Sequence, residues 1–151
     1  MSDGPTPFEI VDLIEERLRE RLAGFEMSDG TIADVPILRT ESVERLDRNE
    51  PLQVSVISAG FQVDEQTSRQ VALQESVVCV VAVRDPSTQI GGAGAMRESG
   101  PLLRAVFSSL FHWSPNDCYE PLTMIDATGS QHEAGFGYYP IAFQTRYVLG
   151  A

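Results

Sequence analysis

The chain has 151 residues, 42% of them hydrophobic and 22% charged, with a formal net charge of −11 at pH 7. That length and composition predict one globular domain (residues 1–151) with its own core, not a disordered chain. All 11 basic residues are arginine, and the negative excess repels phosphates and excludes a general electrostatic footprint for nucleic acid.

The N-terminus, MSDGPTPFEI, lacks the basic and apolar regions of a signal peptide. The longest apolar run, Val77 to Val83, is too short to cross a bilayer. The expectation is a soluble protein made in a cytoplasm, with no membrane partner. Cys79 and Cys118 lie far apart without CxxC spacing. They fit a reducing compartment or use as small buried hydrophobes, and a disulfide between them is left open.

Residues 1–7 read as a short mobile lead. From Phe8, Ile10, Val11, Leu13, Ile14, Leu18 and Leu22 recur at three- and four-residue steps between charged positions. This predicts an amphipathic helix over about Pro7–Ala23, begun at Thr6 or Pro7 and stopped at Gly24. Ser28–Thr31 reads as a turn, and Val35–Leu38 as a short edge segment because of Pro36. Ser42–Leu46 predicts one or two helical turns, followed by a polar turn over Asp47–Pro51.

Leu52, Val54 and Val56 alternate with polar residues, which predicts a strand closed by Gly60. Phe61–Ser68, FQVDEQTS, reads as an exposed acidic connection. The next strand, Val71–Val83, is apolar on both faces in its second half and so belongs at the centre of a sheet. It is expected to pair antiparallel with Leu52–Ile57. The connection after Asp85 contains GGAGA at Gly91–Ala95. It matches neither GxGxxG nor GxxxxGK[ST], so it reads as a flexible loop over Gly91–Gly100 and not as a phosphate cradle.

Ser99–Tyr147 reads as the structural centre. Ser99 is placed to cap a helix, Pro101 to occupy its first turn, and Leu102, Leu103, Val106, Phe107, Leu110 and Phe111 to form its apolar stripe. The Trp113-Ser114-Pro115 run stops that helix. A strand starts at Leu122, Met124 and Ile125, Asp126–Ser130 turns, and Phe136–Leu149 is the last long strand. Pro140 cannot donate to a ladder, so that part of the strand is expected at an edge or a bulge. The predicted fold class is α+β: a mostly antiparallel sheet of four or more strands with two main helices packed on one face. Leu103, Phe107, Trp113 and Phe143 are its expected core anchors, and Trp113 is also the residue type enriched in interface hot spots.

No catalytic pattern emerges. His112 sits at a helix end, where capping or packing accounts for it. His132 lies in a turn without HExxH or HxH spacing, and there is no GxSxG or Cys-His arrangement. Asp117, Glu120 and Asp126 are accounted for by a solvated loop. The expectation is a non-enzymatic protein with no cofactor, no metal and no catalytic residue.

Three stretches carry a family resemblance: Pro51-Leu52-Gln53-Val54-Ser55-Val56, Leu110-Phe111-His112-Trp113-Ser114-Pro115, and the closing Tyr138–Tyr147 strand after Glu120-Pro121-Leu122-Thr123-Met124. In this order of elements the chain resembles the tail terminator proteins of long-tailed bacteriophages, particularly the Mu-type group and relatives with the fold of the lambda minor tail protein U. His112 stands where that pattern often has glycine. The resemblance implies a ring-forming virion protein, typically a hexamer, that caps the head-proximal end of the tail tube, ends tube polymerisation and docks to the neck. Its implied partners are further copies of itself, the tail tube protein and a neck or head-completion protein, with genomic DNA passing through unbound. It implies location in the tail and neck of the virion and synthesis in the host bacterial cytoplasm. The ring reading puts contacts on the two predicted loops, at Phe61, Asp64, Glu65, Gly92 and Arg97, with Arg97 facing Asp64 or Glu65 of a neighbour. Two other readings stand beside it: another neck or tail-completion protein, and a ligand-binding or enzymatic α+β domain using the Gly91–Gly94 loop.

Overall fold

The structure, a computed structural model, describes residues 4–27, 30–39, 52–84, 93–133 and 135–150. The expected helical turns at 42–46, the polar turn at 47–51 and Gly91 and Gly92 lie outside these residues.

Helix α1 (Glu9–Arg21) follows the apolar spacing, burying Ile10, Val11, Ile14 and Leu18, with Leu22 just beyond it. Each such side chain contributes about 1.5–3 kcal/mol by leaving water. At its start the Thr6 backbone N–H and hydroxyl donate to Glu9 Oε2 at 3.0 and 3.3 Å, which satisfies a donor ahead of the helix. Gly24 takes φ 70° and turns the chain out of the helix.

A small antiparallel ribbon pairs β1 (Phe25–Glu26) with β2 (Ile32–Ala33). The main sheet contains β3 (Ile37–Arg39), β4 (Leu52–Gln66), β5 (Gln70–Arg84), β6 (Thr123–Ile125), β7 (Gln131–Glu133) and β8 (Phe136–Gly150). Its order is β3-β4-β5-β8-β6, with β7 also pairing β8, and every pair but β3–β4 is antiparallel. Helix α2 (Ala93–Leu110) connects β5 to β6. Both helices lie on one face, which gives the α+β class predicted above.

Two boundaries differ from expectation. Gly60 does not end β4, which runs on to Gln66, so most of Phe61–Ser68 is strand and not a connection. Gly60 sits at φ 83° within a register shift between Ser58 and Phe61, and its role is to form a β-bulge. Likewise α2 begins at Ala93, not Ser99, so Ala93–Gly100 is helix and Ser99 and Pro101 are interior. An interior proline costs about 3 kcal/mol, and burial of Leu102 beside it and of Val106 and Leu110 further along outweighs it. Pro140 lies inside β8, paired with β5, but where neither β6 nor β7 reaches the opposite edge. That side needs no ladder donor, which is why proline is tolerated.

Odd-numbered residues of β5 and β8 face the helices. Val77, Cys79, Val81, Ile141, Phe143 and Tyr147 join α1 and α2 in the main core, and Val54 and Val56 join them from β4. Even-numbered residues build a smaller cluster behind the sheet around Val80, Ala82, Phe136 and Tyr138. Both cysteines are free. Cys79 is buried, and burial pushes its thiol up to about 12, while Cys118 is exposed.

Glu75 interrupts the apolar face of β5 and is fully buried. Its carboxylate accepts a 2.5 Å hydrogen bond from the Tyr147 hydroxyl and bonds of 3.2 and 3.3 Å from the Phe8 backbone N–H. One carboxylate therefore ties β5, β8 and the start of α1 together. Burial first, and then the bond to Glu75, raise the Tyr147 hydroxyl above its ordinary value. Tyr119, edge-on to Tyr147 at 5.3 Å, is raised by burial and then by Glu9 and Glu75.

Two outcomes follow for stability. Phe143→Ala should cost about 3–5 kcal/mol in urea unfolding, since the ring is fully enclosed. The raised tyrosines keep their protons in the native state above their ordinary value of 10, where the unfolded chain releases them. Stability should therefore hold below about pH 10 and fall above it, by up to about 1.4 kcal/mol per pH unit for each tyrosine. Urea titrations from about pH 9 to about pH 11 should show a shallower fall for Tyr147→Phe; an unchanged slope would remove Tyr147 from the account.

Candidate functional site

The helices cover only part of the sheet. From Glu75 onward, residues 61–66 of β4, 70–75 of β5 and 145–150 of β8 continue as a three-stranded arm. Its tip is the turn at Thr67–Arg69, where Thr67 Oγ1 accepts the N–H groups of Arg69 and Gln70 at 3.3 and 3.2 Å. The bulge at Ser58–Phe61 puts Phe61 opposite Glu75 and Val63 opposite Leu73, on the helix side of the sheet. Phe61 is 43% exposed and Val63 58%. Phe8, 50% exposed, lies against Phe61 at 5.7 Å between ring centroids. Half-buried Val71 and Leu149 extend this apolar face.

The other face of the arm is charged. Arg146 Nε donates to Asp64 Oδ2 at 2.7 Å, with Glu65 at 3.6 Å and Glu120 at 3.8 Å. The bond to Asp64 holds the guanidinium proton more tightly than usual. Asp64 and Glu65 thus meet an arginine of their own chain, which fastens β4 to β8 across β5. Of the other expected interface positions, Gly92 lies outside the described residues and Arg97 belongs to α2, not to a loop. The supposed Gly91–Gly94 loop is likewise helix from Ala93 onward.

Of the expected anchors, Phe143 is fully buried, while Leu103, Phe107 and Trp113 are half-buried at the margin of the core. Trp113 lies under the Arg17 guanidinium at 5.1 Å, and Arg17 Nε donates to the Ser109 carbonyl at 3.1 Å, so Trp113 joins the end of α2 to α1. His112 takes φ 59°, and its N–H donates to the Leu122 carbonyl at 2.8 Å. The left-handed conformation after a helix favours glycine, which accounts for glycine being common at this place in the pattern noted above. Sequence reasoning passed over Arg146, Glu75 and Val63. Glu75 did leave a signal, a lone charge on an apolar strand face.

Behind the sheet, Ile57, Val78, Val80, Tyr138 and Pro140 line a groove of about 300 Å³. Thr128, Gly129 and Gln131 complete it, and no titratable acid, base or thiol joins them beyond the Tyr138 phenol. His132 Nε2 lies 2.9 Å from the Tyr139 hydroxyl. Among the described residues, no group of three or more His, Cys, Asp or Glu side chains is placed to hold a metal ion, and no helix is long and apolar enough to cross a membrane. The arrangement offers an exposed strand arm with an apolar and a charged face, which is suited to contact with protein.

Among curated proteins, none matches this sequence significantly. Residues 7–151, nearly the whole chain, match the family described as Phage tail terminator protein. The match spans both helices, the sheet and the arm, and the chain belongs to the phage tail terminator family, whose members have a structural role in the virion tail.

Proposed function

We propose that this protein assembles into a closed ring, a homohexamer, that caps the head-proximal end of the tail tube, stops tube polymerisation and presents a docking surface to the neck. What supports the reading is the family match over residues 7–151, together with an arm that displays Phe61 and Val63 to solvent. The protein works by contact alone, without catalysis or cofactor. Its partners are its own copies, the tail tube protein and a neck or head-completion protein. It is made in the host bacterial cytoplasm before joining the tail.

The charge suits a channel. With a net −11 per chain, a ring concentrates negative charge around its pore, and DNA sliding through meets few cationic side chains able to displace its counterions and hold it. An inner wall rich in arginine would overturn this part of the reading.

Negative-stain microscopy of the purified protein should show rings with a central pore. Added to polymerising tail tube protein, it should halt elongation and appear at one tube end only. Tubes that lengthen at an unchanged rate and carry no cap would overturn the proposal.

A further inference from the structure

Beyond Val56, no described strand pairs with the outer edge of β4, and beyond Arg146 none pairs with the outer edge of β8. These are the two sides of the arm. Open edges carrying apolar side chains are liabilities that proteins either blunt or use.

The main-chain directions at the two edges follow from strand alternation. The Val54 N–H donates outward to the Pro36 carbonyl at 2.9 Å. Counting through the bulge, the N–H and C=O groups of Phe61 and Val63 also point outward, while their side chains face the helix side. On β8, the Arg146 carbonyl accepts from the Glu120 N–H at 3.0 Å, so Val148 and Gly150 also direct their main-chain groups outward. Their positions fall on the opposite face, and Leu149 between them faces the helix side.

This parity selects one kind of pairing. In a parallel ladder, a residue bonding across the gap lies beside a partner on the same face and bonds to that partner's two neighbours. Val63 beside Leu149, bonding to Val148 and Gly150, satisfies that rule. Antiparallel pairing with the sheet faces aligned would oppose side chains on different faces, which the pleat forbids. Strands β4 and β8 also run in the same direction, since both are antiparallel to β5.

We propose that the β4 edge at Phe61 and Val63 pairs in parallel with the β8 edge at Val148 and Gly150 of a second copy of this chain. The contact is head-to-tail, with different surfaces meeting, and is of the kind that closes by rotation into a ring. It continues the apolar face from Phe61 and Val63 onto the neighbour's Leu149. This inference rests on the ring reading and names its subunit contact.

Disulfide trapping tests it. In a Cys118→Ser background, Val63→Cys and Leu149→Cys proteins are prepared separately, assembled together and oxidised. Adjacent strands stand about 4.8 Å apart, within the roughly 4.4–6.8 Å that a disulfide spans between Cα atoms. The mixture should yield a linked dimer and neither variant alone should do so. Val63→Pro removes an outward N–H without deleting a bond to β5, and should abolish rings while its circular dichroism stays native. Wild-type rings with no cross-link in the mixture, or rings persisting in natively folded Val63→Pro, would overturn the edge pairing and leave the ring standing. Efficient linkage of Val63→Cys to itself would mean a two-fold contact and overturn it too. A wild-type protein that forms no rings, alone or on tail tubes, would overturn both readings.

Discussion

Strand β5 is hydrogen-bonded on both edges, to β4 on one side and along its whole length to β8 on the other, and the remaining elements are placed against that unit. Glu75 marks its division into two parts. On one side of Glu75 the helices cover an apolar face, and on the other the core ends at Leu73 and Tyr147 while the strands run on to exposed residues. The buried carboxylate has three hydrogen bonds from two donors, the Tyr147 hydroxyl and the Phe8 N–H. Removing a partner from a buried charged group is more costly than the bond itself is worth. The junction between core and arm is therefore fixed by polar contacts as well as by the burial of Leu73 and Tyr147.

A second polar anchor works at the middle of α1. Glu15, buried at the helix surface, receives Arg19 from its own helix and Arg39 from β3, while Arg39 also reaches Asp12. Arg19 further donates to the Ile37 carbonyl at 3.1 Å. These contacts hold β3, the short parallel edge strand, against the helix. Strand β4 is thereby covered over Val54–Val56 and bare beyond it.

Periodicity made most of the fold legible in the sequence. Ile10, Ile14 and Leu18 placed α1, and the double-sided apolar run of β5 put that strand at the sheet centre. The pairing of Leu52–Ile57 with the end of β5 and the return of the Phe136–Leu149 strand also emerged from alternation alone. What stayed hidden depends on residues whose local and tertiary meanings differ. Gly60 looks like a strand end because glycine disfavours strands, but a bulge needs it for its positive φ. Ser99, Gly100 and Pro101 look like a helix start, because local propensity cannot register the burial of Leu102, Val106 and Leu110. Among the arm residues, Phe61, Asp64 and Glu65 were singled out on the reading of an exposed acidic connection, a stretch that proves to be mostly strand. Arg146 was not, since a strand arginine looks solvated until β4 is known to extend far enough to bring Asp64 beside it.

The bulge at Ser58–Phe61 is the feature that gives the arm its exposed apolar face and its open edge. Without the extra residue, Phe61 and Val63 would fall on the even-numbered face, with their main-chain groups directed into β5. Insertion of one residue reverses both properties at once, because face and bonding direction share the period of two. Side chains that would have met Arg146 instead continue the apolar face beside Phe8, and their amides turn outward. Charge is left on the other face, where Asp64 and Arg146 brace the arm. The glycine-bearing bulge thus sets the apolar face and the open edge together, and a second register shift, between Val63 and Glu65, contains Asp64, the acid that pairs with Arg146.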